Sequence, residues 1–134
     1  VMDHIEFKGV LSKKEIIQLR QNAAIDGQWL VQQNDGKNSL GIANMEAMSS
    51  GQPVICLCDP DLLGPGKLTN HKHLIIPKSN SPVHIAAELI NLLNDPKKQT
   101  SIALNAHAYA QEHFNWRSVV LRYEQIYRDV LSSG

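Results

Sequence analysis

Apolar positions along the chain switch between short dense runs and the three-to-four-residue spacing of helices. His4-Ile5-Glu6-Phe7-Lys8-Gly9-Val10 reads as a short strand and turn. Ser12 and Glu15 have the spacing of a capping box, a hydroxyl at the N-cap and a carboxylate three residues on. The helix they open places Ile16, Leu19 and Ala23 on one face. Trp29-Leu30-Val31 reads as a second strand, followed by a loop of turn formers from Asn34 to Asn38. Asn38 or Ser39 can cap the next helix, which runs to about Ser50. Its small residues Ala43, Ala47 and Ser50 permit close packing on a sheet, and Gly51 suits the left-handed position just past its end.

Pro53 to Cys58 is apolar on both faces, the pattern of a buried parallel strand. Gly64-Pro65-Gly66 marks a loop, and Leu74-Ile75-Ile76 a short last strand. Ser81-Pro82 and Asp95-Pro96 each start a helix with proline at its first position. The first of these helices presents Ile85, Leu89, Ile90 and Leu93, and the second ends near His113. Asn115 caps a final helix with Val119, Val120, Tyr123, Ile126, Tyr127 and Val130 on its apolar side. Strand alternating with helix predicts an α/β fold, a parallel sheet with flanking helices, in one domain over residues 1–134.

Composition changes this picture little. Lys plus Arg equals Asp plus Glu at 13 each, so no general electrostatic pull toward nucleic acid or anionic membrane is expected. Cys56 and Cys58 form a C-x-C run whose side chains point the same way on a strand, which favours two reduced core thiols over a bridge. His71 and His73 are close together but have no Cys or carboxylate beside them, so no metal site is expected. No apolar run approaches the roughly 20 residues that span a bilayer.

The stretch with chemistry runs from Ser39 to Ile55. A loop enters a helix at Ser39-Leu40-Gly41-Ile42, where free backbone N–H groups and the positive dipole end suit a phosphate. Gly41 lets a ligand approach the backbone closely. Glu46, five residues on, can accept two hydroxyl hydrogen bonds of the kind a ribose diol offers. Taken alone, a glycine at a helix start is more often a packing residue and a lone helical glutamate more often part of a solvated face.

Met45-Glu46-Ala47-Met48-Ser49-Ser50-Gly51-Gln52-Pro53-Val54-Ile55 resembles the hallmark L-E-A-M-A-x-G-x-P-V-I of the family 4 GT-B glycosyltransferases. Phe7-Lys8-Gly9 is similar to the F-x-G strand end of that family, Glu112 to Trp116 to its E-x-F-S-W segment, and Ile126-Tyr127 to its closing L-Y. The resemblance implies a Rossmann-like C-terminal half of a GT-B fold that binds a nucleotide-diphosphate sugar as donor substrate, with no metal or other cofactor. It implies that Glu46 holds the donor ribose as the second glutamate of an E-x7-E motif. The backbone of Ser39, Leu40, Gly41 and Ile42 would then meet the pyrophosphate. Asn38 falls at the catalytic position of the first glutamate, near the donor sugar, and carries no charge there.

The implied protein is a retaining transferase acting on a glycan or lipid acceptor in polysaccharide biosynthesis, cytoplasmic and at most peripheral on the inner face of the membrane. Membrane contact would come through another domain. The acceptor domain, the diphosphate-neutralising cations and the opening strands lie outside this chain, so it is expected to be inactive alone. A non-catalytic binding or interaction module, which Asn38 favours, and a sugar-nucleotide epimerase relative are the alternatives. With strand order 3-2-1-4-5-6, the strand at Ile5 to Phe7 would lack its neighbour. Self-association through that exposed sheet edge is therefore expected.

Overall fold

The computed structural model describes residues 4–28, 39–63 and 67–133. Its elements in order are α1 (Lys13–Asn22), β1 (Asp26–Gly27), α2 (Ile42–Ser49), β2 (Val54–Ile55), α3 (Pro82–Leu93), α4 (Pro96–His113) and α5 (Trp116–Ser132), with a 3-10 turn at Pro60–Leu63. The architecture is α/β. β1 pairs in parallel with β2, Asp26 opposite Val54 and Gly27 opposite Ile55. Ile55 bridges in parallel to Ile75, so the third row of the sheet lies where the last strand was expected. The rungs are backbone bonds from Asp26 to Pro53, from Ile75 to Val54 and from Cys56 to Ile75, at 2.9, 2.8 and 3.0 Å.

Alternation along β2 and its continuation divides the core into two layers. Val54, Cys56, Cys58 and Leu74 face one way, onto Ala47 and Met48 of α2 and onto Ala106, Tyr109 and Ala110 of α4. Ile55 and Ile75 face the other way, onto Leu92 of α3 and Ile102 of α4. This is the both-face burial read from Pro53 to Cys58, and it follows from the period of two in a strand covered by helices on each side. Cys56 and Cys58 are buried free thiols. The hydrogen bond with Cys58, and burial after it, push the Cys56 thiol above its ordinary range.

Most helix ends obey the local rules. Ser12 caps α1 in a full capping box with Glu15. Pro82 and Pro96 open α3 and α4, with Asp95 accepting from the Lys98 N–H, and Asn115 caps α5 through the Ser118 N–H. Gly51 stands just past α2 at φ +74°. Its N–H donates to Met48 and that of Gln52 to Ala47, both at 3.0 Å, which closes a Schellman motif.

Four expectations are corrected. Residues 5–7 form no strand, and Ile5 and Phe7 are exposed, Phe7 at 91%. A strand is held by ladder partners, and no described residue pairs there. α1 consequently buries none of its residues, although Ile16 and Leu19 were expected in a core. α2 begins at Gly41 as N-cap, with no side-chain cap, rather than at Asn38 or Ser39. On α3 the inward row is Ile85, Leu89 and Leu92, spaced i, i+4, i+7, while Ile90 and Leu93 face out. The expected strand at Trp29 to Val31 and the loop at Gly64 to Gly66 lie outside the described residues, and β1 begins three residues ahead of Trp29.

Candidate functional site

α2 carries the candidate site, and three of its faces do different work. Asn44, Ala47 and Met48 are buried. Met45 packs against the layer shared with α4. Glu46 faces Arg20 of α1. Ser39 is exposed, the Leu40 side chain is buried in the core, and Ile42 is exposed at the first helical position. Only the backbone of Leu40 is therefore available to a ligand. Gly41, as N-cap, brings no side-chain oxygen to the first N–H groups of the helix. Uncapped N–H groups and the positive end of the helix dipole together favour an anion. Asn38 lies outside the described residues.

Glu46 is not a free carboxylate. Nη1 of Arg20, in the last turn of α1, donates to its Oε2 at 3.0 Å. The same guanidinium donates through Nε to Oδ2 of Asp26 on β1 at 3.0 Å and through Nη2 to the Ala43 carbonyl at 3.1 Å. The side chains of Arg20 and Asp26 are each 11% exposed, that of Glu46 51%. Arg20 thus ties α1, β1 and α2 into one unit and fixes one oxygen of Glu46. A carboxylate offers about four acceptor sites, so Glu46 keeps capacity for hydroxyl donors while paired. The planar five-donor fork of arginine suits this three-way role better than the point charge of lysine.

Arg20 was not singled out from the sequence. Its partners lie 6 and 26 residues away, and neither separation is a helix or strand period. Its only local signal is a long cation beside Leu19 on the expected inner face of α1.

His73 is buried, with its ring centroid 5.0 Å from that of Tyr109. Its Nδ1 accepts from the Thr69 N–H at 3.1 Å, which assigns the ring proton to Nε2. Burial chiefly, with smaller contributions from Lys72 and His113, holds its imidazole below the ordinary range. No cluster of three or more metal-ligating side chains occurs among the described residues. No helix there is long and apolar enough to cross a membrane.

The family model for glycosyl transferases group 1 matches residues 1–109. The sucrose-phosphate synthase of Thermosynechococcus elongatus superposes with a TM-score of 0.76 at 19% identity, over 98% of this chain and 31% of that one. The C-terminal domain of a glycosyl transferase group 1 family protein from Francisella tularensis, LpcC, superposes with a TM-score of 0.61 at 22% identity, over 82% of this chain and 53% of that one. The chain therefore spans less than two thirds of the length of either. Both likenesses establish a shared GT-B C-terminal fold. A sequence comparison with curated proteins finds no match.

Proposed function

This chain belongs to the glycosyl transferases group 1 family, and from that premise we propose that it binds the nucleotide-diphosphate sugar of a retaining sugar transfer. The observation that carries the proposal is Glu46, held by Arg20 one turn inside a helix whose N-terminus has no side-chain cap. The diphosphate would lie against the N–H groups at the start of α2, and the ribose hydroxyls would donate to Glu46. The acceptor, a glycan or lipid, would be presented by a further domain, and transfer would require both. No metal is part of this reading, because helix N–H groups and further cations can carry the phosphate charge. A cytoplasmic location, where nucleotide sugars are made, accords with it.

Asn38 supports a second reading, a binding module without transfer. It stands where the family resemblance expects its first motif glutamate, and an amide cannot supply that charge. Calorimetric titration of the chain with UDP, GDP and ADP tests the binding claim. One of the three is expected to bind, and Glu46→Ala to weaken it by roughly tenfold, the loss of a charged hydrogen-bond acceptor. Equal affinity of wild type and Glu46→Ala for all three would remove Glu46 from the site.

A further inference from the structure

The corner between α4 and α5 holds a concave site that none of the expected chemistry uses. Its outer lobe, of about 510 Å³, is bounded by Lys67, His113 and Arg122 on its polar side and by Val119, Tyr123 and Ile126 on its apolar side. An inner lobe of about 210 Å³ shares Lys67, His113, Val119 and Arg122, and reaches Met45 in the first turns of α2 and Tyr109 of α4. The larger lobe falls within the roughly 300–1,000 Å³ of ordinary small-molecule sites.

The polar side of this corner is cationic. The chain as a whole is balanced at 13 cationic and 13 anionic side chains. Lys67 and Arg122 both line the corner, and among the described residues neither forms an ion pair. His113 has a carboxylate beside it, Glu112, whose Oε1 is 3.8 Å from its Nε2.

The scaffold beneath is firm. Ser118 Oγ donates to the Glu112 carbonyl at 2.7 Å and accepts from Asn115 Nδ2 at 2.9 Å, which locks the turn that sets α5 against α4. Tyr109 packs against His113 with ring centroids 4.3 Å apart and planes tilted by 52°, and meets Phe114 edge-on at 5.5 Å. It is 8% exposed and lines the inner lobe. Burial chiefly makes its hydroxyl a weaker acid than an ordinary phenol, with the positive charge of Arg122 working against that shift and Glu112 adding to it. Two unpaired cations beside an imidazole and a phenol, against an apolar wall, make a receptor for a compact anion with an apolar body.

We propose that the α4–α5 corner is a binding site for a small phosphomonoester, its phosphate on Lys67 and Arg122 beside His113 and its ring-faced body on Val119, Tyr123 and Ile126. This site does not depend on the reading of Glu46, because neither Glu46 nor its partner Arg20 lines it. Phenyl phosphate is the probe, titrated into the full chain by calorimetry, with inorganic phosphate and phenol as the two halves of the ligand.

Phenyl phosphate is expected to bind more tightly than either half. Lys67→Gln and Arg122→Gln are each expected to weaken it by roughly tenfold. Ile126→Ser is expected to weaken phenyl phosphate while leaving inorganic phosphate unchanged. All three side chains lie at the surface of the site, so the far-ultraviolet circular dichroism should match wild type. Phenol binding as tightly as phenyl phosphate would overturn the proposal. So would a Lys67→Gln/Arg122→Gln double variant that binds the probe like wild type.

Discussion

Replacing Arg20 with alanine removes three hydrogen bonds at once and leaves the Asp26 carboxylate, with a side chain 11% exposed, without its cation. The two contacts are unequal. Breaking a buried ion pair by deleting one partner costs about 3–5 kcal/mol, because the remaining charge is stranded. The Glu46 contact is half in water, and such pairs contribute about 0–1 kcal/mol. Arg20→Ala is therefore expected to destabilise the chain by about 3 kcal/mol, a large part of the roughly 5–15 kcal/mol of an ordinary domain. Glu46→Ala should cost less than about 1 kcal/mol.

Urea unfolding followed by circular dichroism measures both. The double variant Arg20→Ala/Asp26→Ala completes the cycle. It should be markedly less destabilised than the sum of the singles, with a coupling of about 2 kcal/mol. Glu46→Ala should couple to Arg20→Ala far more weakly. A loss below about 1 kcal/mol for Arg20→Ala, or additive Arg20 and Asp26 effects, would refute the assignment of Asp26 as the anchor of Arg20.

Asn44 is buried in α2 with neither side-chain polar atom hydrogen-bonded, so Asn44→Leu is expected to raise stability by about 1–2 kcal/mol, and a lower urea midpoint would count against it. His73 titrates below its ordinary 6.5 in the folded chain, so the unfolded chain binds the proton more readily. Its contribution is complete above pH 6.5 and is lost as pH falls through the depressed folded value, where a protonated Nδ1 can no longer accept from Thr69. His73→Phe should flatten that slope in stability measured from pH 7 down to pH 5, and an unchanged slope would assign it to other groups.

The local rules in this chain are legible from the order of its residues alone. Ser12 with Glu15, Ser81 with Pro82, Asp95 with Pro96, Asn115 and Gly51 act over four or five residues, and each stands where its spacing predicts. The apolar run from Val54 to Cys58 likewise announces burial on both faces, since the strand period is a property of the backbone. The resemblance around Glu46 reaches the family for the same reason: it is a contiguous string, M-E-A-M-x-x-G-x-P-V-I.

Pairing and placement were decided by the tertiary structure. Ile5 to Phe7 has the composition of a strand and forms none, because a strand exists only where a second one supplies its ladder. α2 starts at Gly41 rather than at a better capping residue, since the packing of Leu40, Ala47 and Met48 into one layer sets where the helix begins. Arg20 meets Asp26 and Glu46, and Lys67 and Arg122 come to line one cavity, across separations with no period to reveal them. Such contacts arise from how the helices lie on the sheet, and that geometry belongs to the folded chain as a whole.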